Sequence, residues 1–213
     1  MNNLYNISTN ITLNDSEAFS PDDYLVGVLR SVIERGRDVA IELQGEGKIL
    51  VRPLQGDFFA DAAHNISAFC AARAERYRIH SLSPIESKQL AARRPGQNID
   101  ELMWTAGFFA SRGRLIEGAH FNVVRLRHWP NLTRLPRTPN TMRIVALLTR
   151  YPTSLVVAQR LLKIEMSEIN WVYSAAHCAG LIQVVNGASD TTHLVAHRHQ
   201  SLLKQLLGKI IQL

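Results

Sequence analysis

Arginine dominates one stretch of the chain, residues 112–150. The stretch holds eight arginines, no lysine and a single acid, Glu117. A guanidinium presents a planar fork of donors that matches the paired oxygens of a phosphate or a carboxylate. Our candidates for binding an anion or a partner, with one tryptophan that can stack on a base or a guanidinium, are Arg112, Arg114, Arg125, Arg127, Trp129, Arg134 and Arg137.

Three uses of these arginines stay open from the sequence alone. The first is binding the phosphates of a nucleotide or nucleic acid. The second is ion pairing within the chain or with a partner, with Asp100, Glu101 and Glu117 as nearby acids. The third possibility is that they have no specific role. Three prolines over 130–139 forbid a long helix there, so we expect an ordered connector over 127–140.

Three histidines near the C-terminus have even spacing. His193, His197 and His199 would share one face of a strand, where imidazoles can hold a metal ion. Alternate strand residues lie about 7 Å apart, which suits only neighbours of the set as ligands. We therefore favour an exposed polar strand that gains positive charge at mildly acidic pH, and we predict no metal or cofactor.

Residues that could carry catalysis are sparse. Cys70 and Cys178 lie in apolar helical patterns, which predicts buried, reduced thiols. Neighbouring acids occur only where helices begin, at 22–23 and 100–101, where the helix dipole favours them. No nucleophile elbow or zinc-hydrolase motif occurs. We expect a protein that is not an enzyme.

Composition limits the class of protein. The chain has 213 residues, 46% apolar and 20% charged, with a formal net charge of +6. That balance predicts a folded protein with anionic partners. The sequence contains neither a secretion signal nor a membrane-spanning run, so we expect a cytoplasmic location.

The first half predicts a mixed α+β module over 20–134, after a flexible lead-in over 1–19. A helix is expected over 20–36, with Ser20 as its N-cap, followed by a hairpin over 39–51 around Gly45-Glu46-Gly47. Further strands are expected over 57–60 and 77–82. Further helices are expected over 62–76, 84–93 and 98–111.

The second half predicts a winged helix-turn-helix over 135–213. Apolar spacing indicates helices over 141–150, from Thr153 or Ser154 to 162, and over 166–179. A strand over 181–185, the turn Asn186-Gly187 and a return strand over 192–197 would form the wing.

The second half also resembles a known group of proteins. The stretches 102–104 (Leu-Met-Trp), 110–115 (Ala-Ser-Arg-Gly-Arg-Leu) and 125–135 (Arg-Leu-Arg-His-Trp-Pro-Asn-Leu-Thr-Arg-Leu) resemble a family of uncharacterised bacterial proteins. The C-terminal module resembles the small winged helices that end some bacterial signalling adaptors. The resemblance implies a two-module, non-enzymatic cytoplasmic protein and assigns no binding residues.

The third helix of this module is poor in positive charge. A helix that reads DNA carries Arg, Lys, Asn or Gln into the major groove. Residues 166–179 contain no Lys or Arg, and Glu165 and Glu168 would repel phosphates. Asn170, Tyr173 and Arg198 are the candidate DNA contacts, but the helix disfavours nucleic acid.

The last thirteen residues predict a helix with one broad apolar stripe, a candidate for self-association through Leu203, Leu206, Leu207 and Ile210. Three ways of covering this stripe stay open from the sequence: packing on its own domain, a dimer interface, or contact with a membrane surface.

Our leading hypothesis is an adaptor or regulatory protein that acts through protein–protein contacts of the winged helix, including homodimerisation. The alternatives are a DNA-binding transcriptional regulator and a sensor of a nucleotide second messenger that uses the arginine-rich segment.

Overall fold

The computed structural model describes residues 18–61, 66–93, 95–119 and 122–185. Within these ranges the chain forms seven α-helices and two antiparallel sheets, which confirms the predicted α+β class. The helices are α1 (Leu25–Arg35), α2 (Ile66–Ala71), α3 (Pro84–Arg93), α4 (Ile99–Ser111), α5 (Thr141–Arg150), α6 (Leu155–Leu162) and α7 (Met166–Cys178). The strands are β1 (Val39–Leu43), β2 (Gly47–Arg52), β3 (Asp57–Asp61), β4 (Tyr77–Ser81), β5 (Gln97–Asn98), β6 (Val123–Leu126), β7 (Thr153–Ser154) and β8 (Ile182–Val184). None of the described helices is long and apolar enough to cross a bilayer.

The larger sheet has the strand order β4-β1-β2-β3-β5. The predicted hairpin is confirmed as β1 and β2, with Ile41 opposite Ile49. On the other side of β1, Ile41 lies opposite Ile79 of β4. Apolar side chains from this sheet, α1, α2 and α4 form the first core, whose most buried members include Leu25, Leu29, Ile41, Ile49, Phe69, Leu102 and Ala106.

The first helix begins later than the sequence predicts. Instead of one helix over 20–36, Pro21–Asp23 form a 3-10 turn and α1 starts after Tyr24. Tyr24 is extended, at φ −130° and ψ −171°, because its backbone bridges Arg73 and its ring packs on Phe19 with centroids 5.5 Å apart. These contacts are with residues outside the helical pattern, so the local caps could not reveal them.

Most other local predictions for this half are confirmed. Asn98 caps α4, since its side chain accepts a hydrogen bond from the Asp100 N–H at 2.7 Å. The helix expected over 62–76 is shorter than predicted. In the described part of that stretch, α2 ends at Ala71 and a 3-10 turn covers Ala74–Arg76.

The smaller sheet has the order β7-β6-β8 and belongs to a second core with α5, α6 and α7. The helices predicted over 141–150 and 166–179 are confirmed, the second ending at Cys178. Ser154 caps α6, since its Oγ accepts a hydrogen bond from the Val157 N–H at 3.3 Å.

The strand that pairs with β8 differs from the expected one. We expected β8 to turn at Asn186-Gly187 and to pair with 192–197, but both of those stretches lie outside the described residues. Within the described ranges β8 pairs with β6, which comes before α5 in the chain. β6 pairs with β7 on its other side. A strand from before the proposed boundary near residue 135 therefore joins the two that follow it.

Helix α4 connects the two cores. Leu102 and Ala106 belong to the first core, whereas Trp104 and Phe108 belong to the second. α4 also packs closely on α7, and a Cβ added at Gly107 would lie 2.7 Å from Cys178 Sγ. The two halves of the chain thus share one helix and one closely packed helix pair, which we call the α4–α7 seam.

Candidate anion-binding site

Helix α7, the expected recognition helix, has seven buried residues among its thirteen. Ser167 is its single exposed residue. Tyr173 is 2% exposed, and Asn170 Nδ2 donates to the Gly113 carbonyl at 3.0 Å. Burial is the main influence that raises the pKa of Tyr173. Neither candidate DNA contact therefore presents its polar group at a surface that can meet a base, and Arg198, the third, lies outside the described residues.

The acidic start of α7 has a structural explanation. Glu168 accepts a hydrogen bond from Asn140 Nδ2 at 2.9 Å, just before α5. Arg143 donates to Asn140 Oδ1 at 2.8 Å and to the Leu162 carbonyl at the end of α6 at 2.9 Å. Desolvation raises the pKa of Glu168, but these hydrogen bonds and the Arg143 charge leave it lowered overall. Glu168 thus joins α7 to α5, a role independent of any phosphate.

Arg114 is the arginine most fully committed to the fold. Its Nε donates to the Ser111 carbonyl at 3.0 Å and its Nη2 to the Ala110 carbonyl at 3.1 Å, at the end of α4. Nη2 also donates to the Tyr24 hydroxyl at 3.0 Å. Arg114 therefore holds the end of α4 against Tyr24.

The other candidate arginines are exposed. Arg134 lies 3.8 Å from Glu101 Oε2, a long contact whose arginine side chain is 64% exposed. The remaining four form no side-chain hydrogen bond or ion pair with the described residues: Arg112, Arg125, Arg127 and Arg137. With respect to the described part of the chain, these four guanidinium groups are free to bind an anion from solution.

Two of the arginines line a cavity of about 520 Å³, which we call the connector pocket. Arg134 and Arg137 contribute from the connector. The apolar part of the lining includes Phe58 of β3 with Leu102 and Phe109 of α4. The cavity therefore combines a wall of aromatic and aliphatic side chains with two guanidinium groups.

Buried side chains hold the connector against this cavity. Leu132 and Leu135 are 6% and 8% exposed and belong to the second core. Trp104 Nε1 donates to the Pro136 carbonyl at 3.2 Å. Because these anchors flank Arg134 and precede Arg137, both guanidinium groups are carried by a positioned backbone.

Two hydroxyl groups add polar character to the connector pocket. Thr105 of α4 and Thr133 of the connector both line it. Thr105 Oγ1 donates to the Glu101 carbonyl at 2.6 Å, which leaves its oxygen able to accept. Sequence reasoning missed Thr105, although its spacing from Leu102 and Phe109 is that of one helix face. The place of Phe58 in the lining could not be predicted from the sequence, because only the tertiary fold brings β3 next to the connector pocket.

Trp129 lies apart from the connector pocket. It is 47% exposed and lines a separate hollow of about 230 Å³ with Asp100 and Glu101. Its neighbours there include carboxylates, so the structure does not bring it together with Arg134 and Arg137 to bind one anion.

Both cysteines are buried and free, as predicted. Burial raises the pKa of Cys70 and Cys178 to about 12, so neither is an activated nucleophile. Across the described ranges no three His, Cys, Asp or Glu side chains cluster as metal ligands would. The three C-terminal histidines and the self-association candidates Leu203, Leu206, Leu207 and Ile210 lie outside those ranges.

Comparison with protein-family models, curated proteins and solved structures found no match to this chain. The resemblance to winged helices of signalling adaptors therefore stays a prediction.

Proposed function

We propose that this chain is a regulatory protein that binds an anionic small molecule with an aromatic or apolar body, a nucleotide being the leading class, in the connector pocket. The observation that carries the proposal is the pair Arg134 and Arg137 beside an apolar lining. This keeps the regulatory role predicted from the sequence and assigns ligand binding to the connector.

The chemistry of the lining favours a ligand with two unlike ends. A guanidinium fork binds phosphate oxygens two at a time. Phe58 and Phe109 offer aromatic surface to a planar ring, and the Thr105 and Thr133 hydroxyls can orient it. About 520 Å³ lies within the range of about 300–1,000 Å³ typical of small-molecule sites.

Binding, rather than turnover, fits the residue types present. The described lining holds threonine, glutamine and arginine as its polar residues, without a carboxylate, histidine or cysteine to act as base or nucleophile. A ligand held by Arg134 and Arg137 would tie the connector to α4 and β3. Such a tie would transmit ligand binding to α5, the next helix in the chain.

The test is a thermal-shift screen of nucleoside mono-, di- and cyclic phosphates beside the matching unphosphorylated nucleosides. A ligand that binds the native state raises Tm. For any nucleotide that does so, calorimetric titration should show affinity falling about tenfold or more in Arg134→Ala and in Arg137→Ala, since each removes charge-assisted hydrogen bonds. Arg125→Ala is the matched control, because Arg125 is exposed on β6 and does not line the connector pocket.

Two results would overturn the proposal. One is a screen in which no phosphate raises Tm more than its nucleoside. The other is equal affinity in Arg125→Ala and Arg137→Ala. Salt-sensitive binding of random duplex DNA that depends on Arg125 and Arg127 would instead favour the transcriptional-regulator hypothesis.

A further inference from the structure

Strand β4 is an open edge of the larger sheet. Among the described strands its only neighbour is β1. The Leu82 N–H donates to the Asp38 carbonyl at 2.9 Å, and hydrogen-bonded pairs alternate along an antiparallel ladder. His80 and Arg78 therefore bond to β1, whereas the backbone N–H and C=O groups of Ile79 and Ser81 point outward. No described residue bonds to these outward groups.

A groove runs beside this edge. α1 packs on the same sheet face, and a hollow of about 490 Å³ lies between α1 and β4. Val32, Val39 and Ile79 give it an apolar lining. Ile79 is 47% exposed although its partner Ile41 on β1 is completely buried. The edge thus offers backbone hydrogen bonds and an apolar pocket side by side, the two components of strand addition.

The charge around the groove is positive. Arg35 and Arg37 line it, and both are exposed. Neither has a side-chain hydrogen bond or ion pair with the described residues. The acids nearest to them in sequence are Glu34 and Asp38, and Asp38 accepts from Ser87 Oγ at 2.5 Å. On the opposite face of the sheet Arg78 lies across from Glu42, which is 3.7 Å from His80.

We propose that the β4 edge binds an extended, acidic segment of a partner protein, adding it to the sheet as a further strand. Its side chains on the Ile79 face would enter the hollow, an apolar one against Val32 and Ile79 and an acidic one against Arg35 and Arg37, because every second residue of a strand points to the same face. A second copy of β4 is a poor occupant, because Tyr77–Ser81 contain no acidic residue to meet Arg35 and Arg37. This surface is independent of the connector pocket.

The experiment measures fluorescence anisotropy of a labelled extended peptide whose one face carries valine and glutamate in turn, with threonine at every position between them. The matched control peptide carries lysine for glutamate. We expect the full chain to bind the glutamate peptide, with affinity falling as salt rises. The lysine peptide should bind at least about tenfold more weakly, because its lysines meet Arg35 and Arg37 with like charge.

Two variants test the geometry separately. Ser81→Pro removes an outward N–H and leaves the ladder to β1 intact, so it should weaken binding about tenfold relative to Ser81→Ala, which keeps that N–H. The double charge reversal Arg35→Glu with Arg37→Glu should reverse the preference, so that the lysine peptide binds more tightly than the glutamate peptide. Both positions are exposed, so this second variant keeps the test valid if the proline disturbs folding.

Equal binding of the two peptides, or equal affinity of Ser81→Pro and Ser81→Ala, would overturn the proposal. So would sedimentation that finds a dimer for the unaltered chain and a monomer for Ser81→Pro, since the edge would then pair with a second copy.

Discussion

Arg112 and Arg114 stand two positions apart and carry the same side chain, but their surroundings differ. Arg114 donates to two α4 carbonyls and to the Tyr24 hydroxyl. Arg112 is exposed, in the left-handed conformation at the end of α4. An arginine-rich pattern therefore identifies a segment able to bind anions, while the fold decides which members stay free to do so.

Substitution by lysine should change the stability of the protein differently at these two positions. Arg114→Lys keeps the charge but loses the fork, so the free energy of unfolding should fall by about 1–2 kcal/mol. Arg112→Lys should change it by less than about 0.5 kcal/mol. Urea denaturation measures both, and equal losses would show that Arg114 does not hold α4 to Tyr24.

Local patterns predicted helix caps better than they predicted the surroundings of individual side chains. Asn98 and Ser154 act as caps as expected, because capping depends on neighbours within three residues. The expected DNA contacts Asn170 and Tyr173 proved to face the interior. Their burial follows from α4 packing on α7, a long-range contact that helical spacing in α7 does not encode.

At the scale of elements, α7 is a central helix and not a surface helix. Its mixed sequence allowed both interpretations, since small residues at 174–176 suit either a close helix contact or a modest surface face. The Ser174 hydroxyl donates to the Arg114 carbonyl at 3.1 Å. Contact with α4 on one side and with α5 and α6 on the other leaves α7 no broad free face.

The tie between α5 and α7 predicts a pH dependence. The pKa of Glu168 is below its ordinary value of 4.5, so the folded state binds this proton more weakly than the unfolded state does. The stabilisation is therefore present above about pH 4.5 and is lost as pH falls through the lowered pKa. Glu168→Gln should lose about 1 kcal/mol at pH 7, and its Tm deficit should shrink in acid.

The matched control for this titration is Glu165→Gln, since Glu165 is exposed at the position just before α7. It should change Tm little at any pH. A Glu168→Gln deficit that stays constant from pH 7 to pH 3 would contradict the ionic tie.

The α4–α7 seam predicts a steric requirement at Gly107. A Cβ there would lie 2.7 Å from the Cβ and the Sγ of Cys178 and 3.0 Å from the Ser174 carbonyl oxygen. Gly107→Val should lower the free energy of unfolding by about 1–3 kcal/mol or more through overpacking. Ala146→Val places the same side chain on an exposed position of α5 and should lower it by less than about 1 kcal/mol. Chemical denaturation that ranks the two in the opposite order would refute close packing at the seam.

At the scale of the whole molecule, the shared helix α4 predicts that both cores unfold together. All three tryptophans, Trp104, Trp129 and Trp171, lie outside the larger sheet. Ile41→Ala in that sheet should remove about 2–5 kcal/mol, and the tryptophan fluorescence midpoint should fall with the circular dichroism midpoint. Ile85→Ala, at a 69% exposed position of α3, is the control. A fluorescence transition unmoved by Ile41→Ala would mean that the halves unfold separately.

The sequence predicted the class and most elements of the molecule, and it erred where distant residues decide the outcome. Alternation and the Gly45-Glu46-Gly47 turn were sufficient for the β1–β2 hairpin. The extended Tyr24 depends on Phe19 and Arg73, and the central place of β6 depends on pairing with β7 and β8. Apolar periodicity shows which face of an element is buried, but it does not name the element that covers it.

The positions of the two cysteines make each thiol a natural reporter of local opening. Cys70 lies inside the first core and Cys178 lies at the α4–α7 seam, and a pKa of about 12 leaves little thiolate on either at neutral pH. Reaction with a thiol reagent therefore requires a local opening that exposes the thiol to both water and reagent. The ratio of the two labelling rates would measure how often the seam parts relative to the sheet core. If a ligand in the connector pocket slowed the labelling of Cys178 more than that of Cys70, its binding would be shown to stabilise the α4–α7 seam.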